Sequence, residues 1–146
     1  MNDDDIRKRK KEGWIEASFA IEVLAIKEDV AKESLSKLVE EMKEVRGAYV
    51  YESGFSDIAK VKAPLKGVEE AYSQIATVKL FSKDVMTLVS LAITFGPSSI
   101  EIMGPSEKNI SVSELQNMMN LISGIIHQFA AAGMGGIVIS PEKNRR

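Results

Sequence analysis

Two glutamates, one histidine and a block of basic residues are the side chains through which this sequence could do chemistry. Glu16 and Glu22 invite reading as an acid–base pair. They occupy alternate positions of an extended pattern, however, and six residues of strand separate them by roughly 20 Å, against the ~5–10 Å at which glycosidase carboxylates cooperate. They are not one active site. His127 is the single histidine. It stands between Ile126 and Gln128, one turn after Ser123, with no adjacent carboxylate to mark it as a base, and it reads as a packed or interface residue. Ser98 and Ser99 have no histidine or lysine partner that would activate a nucleophile.

Glycines at 133, 135 and 136 follow a helical pattern, whereas phosphate-binding glycines precede the helix whose amides face the anion. They read as a helix stop and a turn. The chain has no cysteine, which removes disulfides, thiolate zinc sites and a cysteine nucleophile. Its carboxylates lack the alternating spacing of a calcium loop. The expectation is a chain with no catalytic, cofactor-binding or metal-binding residues of its own.

Arg7, Lys8, Arg9, Lys10 and Lys11 follow three aspartates, with Ile6 the one large apolar side chain nearby. Such a segment cannot offset its ordering entropy by burial, so 1–13 reads as a disordered charged tail. The alternative is an arm for nucleic acid or another polyanion, joined by Lys60 and Lys62. A net charge of −2 and the lack of aromatic residues interleaved with the basic ones weigh against it. Lysines 60, 62 and 66 read first as guards on the wet side of an edge strand.

The elements that must position these groups follow from periodicity. Residues 111–136 carry the longest apolar helical pattern. Ser111 and Glu114 have capping-box spacing, and Leu115, Met118, Met119, Ile122, Ile125, Ile126 and Phe129 recur at three- and four-residue intervals. The polar side of that helix is uncharged apart from Glu114, unlike an ordinary solvated face. It therefore reads as packed on its own sheet and on a second chain, with Met118, Met119, Ile122, Ile126 and Phe129 as the packing and interface residues.

Residues 14–26 alternate as a strand with one buried face, and 28–46 carry a helical stripe with acid at the front and Arg46-Gly47 at the back. Residues 48–51 read as a strand interrupted at Glu52-Ser53-Gly54. A further extended segment at 55–63 is broken by Pro64 and Gly67, which leaves 54–67 open between strand and loop. Residues 72–81 form a strand, Ser82 caps a helix at 83–95, 99–103 form a short strand, and 137–139 form a last one.

This order predicts an α/β (α+β) architecture, a ferredoxin-like βαββαβ sandwich with an added C-terminal helix and short strand. One domain spans 14–140, and 141–146 form a polar tail. No signal-like N-terminus and no apolar run of ~18 residues is present, so a cytoplasmic protein with no membrane partner is expected. The function expected is a non-catalytic, homo-oligomeric binding or regulatory domain with room for a small-molecule ligand. The alternatives are nucleic-acid or polyanion binding by the basic arm, and an enzyme whose site assembles at a subunit interface.

Overall fold

The computed structural model describes residues 3–133, the side chains of 63–65 excepted. By compactness the chain divides into two units, 1–108 and 109–146. Residues 105–111 carry neither helix nor strand.

The first unit holds helix α1 (Asp3–Lys11), strand β1 (Ile15–Ala25), helix α2 (Glu28–Lys43), strands β2 (Ala48–Phe55), β3 (Ala59–Leu65) and β4 (Val68–Ser82), helix α3 (Val85–Phe95) and strand β5 (Ser99–Gly104). Its strands make one antiparallel five-stranded sheet in the order β2-β4-β1-β5, with β3 also on β4. Alternation along β1 buries Ile15, Ala17, Phe19 and Ile21 on one side. In α2, Ala31, Leu35, Val39 and Met42 recur at helical spacing and are all buried. Leu35, Val39 and Met42 join Phe19, Ile21, Val78 and Leu80 of the sheet, and Leu91 and Phe95 of α3, in one core. The helices α2 and α3 thus line one face of the sheet. Glu16, Ser18, Ala20 and Glu22 belong to the other, outer face.

Several local expectations change. The segment read as a disordered tail is helical over Asp3–Lys11. It has no buried residue of its own, and side-chain contacts described below anchor it instead. Glu52-Ser53-Gly54 do not interrupt β2; the chain leaves the sheet only at 56–58. There Ser56 spans the gap, its N–H donating to the Ile75 carbonyl at 2.8 Å and its Oγ accepting from Ile75 N–H at 3.0 Å. The 54–67 stretch resolves into the end of β2, that link and β3. Pro64 lies within β3, which among the described residues pairs only with β4, and at such an edge a missing N–H is tolerated. Gly67, at φ 84°, closes the two-residue turn into β4. Asp84, not Ser82, caps α3: its carboxylate accepts from Thr87 N–H at 2.8 Å.

The second unit is described through helix α4 (Val112–Ala131). Ser111 caps it as the spacing predicts, accepting from Glu114 N–H at 3.0 Å, and Gly133 follows it at φ 70°. The strand expected at 137–139 and the tail 141–146 lie outside the described residues. Among the described residues no helix is long and apolar enough to cross a membrane.

Candidate functional site

The outer face is covered at one end. Pairing sets Glu16 of β1 opposite Phe81 of β4 on one side and Gly104 of β5 on the other, and sets Tyr49 of β2 opposite Phe81. Directly opposed residues of an antiparallel pair share a face. This row therefore crosses the sheet on the side away from α2 and α3.

Two irregularities add side chains to the row. The register of β2 on β4 shifts between Val50 and Glu52, leaving Tyr51 as an extra residue, and that of β5 on β1 shifts between Glu16 and Ala17, leaving Met103 as an extra residue. A bulge puts two successive residues on one face and re-aims their side chains. Tyr51 as a result reaches Glu16, donating its hydroxyl proton to Oε2 at 2.5 Å, and its ring lies 5.2 Å from that of Phe81. Met103 lines a cavity next to Glu16.

Helix α1 and the residues after it close this end. The Arg9 guanidinium lies 3.7 Å from the centroid of the Tyr49 ring and 5.1 Å from that of Trp14. Its Nη1 also donates to the Asp5 carbonyl at 3.2 Å, and its buried Nε has no hydrogen-bond partner among the described residues, as a cation stacked on rings allows. Lys10 Nζ lies 3.8 Å from Glu16 Oε1. Lys108 donates to the Gly13 carbonyl at 2.6 Å, tying the stretch after β5 to the turn that precedes β1. Phe81, although on the outer face, is fully buried.

Lys10, Trp14, Glu16, Phe81, Met103, Gly104 and Pro105 surround a cavity of about 290 Å³. Its charged groups are one ammonium and one carboxylate, and its walls are largely apolar. Burial, then the hydrogen bond to Glu16 and the charges of Glu16 and Glu52, push the Tyr51 phenol well above the ordinary tyrosine range. At neutral pH it stays a proton donor to Glu16 and is no base. Glu22, the other glutamate of the supposed pair, accepts instead from Ser73 at 2.8 Å.

The sequence-predicted residues fall in three places. Met118 is buried, while Met119, Ile122, Ile126 and Phe129 are 40–50 % exposed along α4. His127 is exposed on the same helix. Of the basic block, Arg7 pairs with Asp4 at 3.1 Å, Arg9 is stacked, Lys10 faces Glu16, and Lys8 and Lys11 are exposed. Lys60 pairs with Glu70 at 3.0 Å, which raises its pKa, and Lys62 lies opposite Glu70 in the register. Eleven residues of β4, from Glu70 to Phe81, separate that register position from the row beneath α1, roughly 35 Å of strand. The two halves of the supposed polyanion site are not brought together.

Trp14, Tyr49, Tyr51 and Met103 were not singled out by the sequence reading as site residues. The available signal was slight: a tryptophan ahead of a strand with glutamate on its wet face, and two tyrosines at 49 and 51.

A family model, the MJ0538 family, matches residues 16–144, so the chain belongs to that family. The matched stretch starts at Glu16 and leaves α1 and Trp14 outside it. No curated protein and no solved structure matches the chain.

Proposed function

We propose that this member of the MJ0538 family is a non-catalytic binding or regulatory protein of the cytoplasm that works as a homo-oligomer joined through α4. The exposed apolar stripe of α4 carries the reading. Met119, Ile122, Ile126 and Phe129, at intervals of three and four residues, share one side of a 20-residue helix and are each 40–50 % exposed. A second copy of the same helix is the occupant that fits. Besides His127, Glu114 is the one ionisable side chain in α4, so two copies meet without like-charge repulsion, and an isologous contact needs a surface complementary to itself. Methionine adds an adaptable contact.

The strand order supports the finer fold reading. The order β2-β4-β1-β5, with α2 between β1 and β2 and α3 between β4 and β5, supports reading the sheet as a variant of a ferredoxin-like sandwich, which differs from the simple form by the additional strand β3 on β4. Polyanion binding receives less support, because Arg9 and Lys10 are engaged at the outer face and Lys60 and Lys62 lie far along β4. An enzyme site at a subunit boundary has no specific observation in its favour.

The test is the mass in solution of Ile122→Asp beside the parent chain. A charge in the stripe should lower the mass to the monomer while circular dichroism stays folded. A folded variant with the parent's oligomeric mass would remove α4 as the contact.

A further inference from the structure

The outer-face cavity has unspent polar capacity. Among the described residues Glu16 is hydrogen-bonded at one oxygen: Oε2 takes the Tyr51 proton, whereas Oε1 faces Lys10 at 3.8 Å, beyond hydrogen-bond distance. The Lys10 side chain is 58 % exposed and that of Glu16 only 14 %. The carboxylate is thus fixed in place and the ammonium is free to adjust. Around them Trp14, Phe81, Met103 and Pro105 supply an apolar wall.

We propose that this cavity binds a small zwitterion with an apolar body, its ammonium on Glu16 Oε1, its carboxylate on Lys10 Nζ and its body against Trp14, Met103 and Pro105. The charge arrangement selects this class. A plain anion meets Glu16, a plain cation meets Lys10, and a neutral apolar molecule desolvates both charges without replacing their water. A molecule with both charges side by side answers both protein groups at once and matches the sign pattern of the site. Size agrees. About 290 Å³ equals the liquid share of about ten waters, room for about a dozen non-hydrogen atoms, which describes an amino acid with an aliphatic or aromatic side chain.

The proposal stands apart from the α4 reading, since every residue it uses lies in the first unit. The test is a titration of the full chain with phenylalanine and leucine, each beside its N-acetyl and its methyl-ester form. Calorimetry and the fluorescence of Trp14, the single tryptophan, follow binding. At ordinary ligand efficiency a dozen atoms give a Kd of about 2 mM or tighter. The expected result is binding of at least one free amino acid, weakened about tenfold or more by acetylation, by esterification, by Glu16→Gln and by Lys10→Gln. Lys10 is exposed on α1, so its variant keeps the test valid if Glu16→Gln disturbs the fold. No binding of any free amino acid at about ten times that concentration, or equal binding of the blocked forms, or an unchanged Kd in folded Lys10→Gln, overturns the proposal.

Discussion

Arg9→Ala is the perturbation that isolates how α1 is held. The helix has nine residues, none of them buried, and an isolated helix shorter than about 12–15 residues is marginal in water. Its order therefore comes from docking, and Arg9 makes two of the contacts, on Tyr49 and on Trp14. A cation over an aromatic ring contributes about 0.5–1 kcal/mol when exposed and about 2 when desolvated. The Arg9 side chain is 22 % exposed, and the Trp14 contact is the longer one, so the pair together contributes about 2 kcal/mol. The Arg9–Asp5 approach at 4.0 Å adds a few tenths at most. Removing about 2 kcal/mol lowers the docked-to-undocked ratio about 30-fold. Amide exchange over 3–11 should accelerate accordingly, Trp14 emission should shift to the red, and exchange in β1 and β4 should hardly change. Arg9→Lys should rescue only part of the effect, because the flat guanidinium stacks on rings and the ammonium does not. Unchanged exchange in α1 with unchanged Trp14 emission in Arg9→Ala would refute the idea that the two rings hold this helix.

Two further outcomes follow from named groups. The folded chain holds the Tyr51 proton more tightly than the unfolded chain, whose phenol titrates near 10.0. Stability is therefore intact below about pH 10 and falls as pH rises beyond it; denaturant titrations at increasing pH should show this slope in the parent and lose it in Tyr51→Phe, which also costs about 1 kcal/mol at neutral pH. Asp84→Ala should cost about 1 kcal/mol by removing the α3 cap. The hydrogen bond from Thr87 lowers the pKa of Asp84 below its ordinary 3.8. Its contribution is present above about pH 4 and is lost as pH falls, so parent and variant should converge in acid unfolding curves.

Legibility in the sequence followed the physics of each element. The strand at Ile15–Ala25 and the helix at Glu28–Lys43 were plain because each meets the core with one face, and burial of Phe19, Ile21, Leu35 and Val39 imposes periods of two and 3.6 on the chain. Ser111 was readable as a cap because capping is local. The α3 cap was missed because Ser82 and Asp84 compete within three residues and only the folded turn selects between them. The α1 helix was unreadable for a different reason: its anchor at Tyr49 lies 40 residues beyond Arg9 and is a stacked cation, not an apolar stripe. The bulges at Tyr51 and Met103 arise from pairing register. No local pattern at Glu52-Ser53-Gly54 distinguishes a bulge from a break. Glu16 reads from the sequence only beside Glu22, whereas its neighbours Lys10 and Tyr51 come from α1 and β2, elements that strand periodicity alone does not place beside it.

The most direct test of the account is the solution mass of the unmodified chain by light scattering, repeated with the first twelve residues removed. The expected result is the same whole-number multiple of the protomer mass in both cases, the protomer being 16.0 kDa for the full chain, because the proposed contact lies on α4 and not on α1. A monomer of the full chain at micromolar concentration would contradict it.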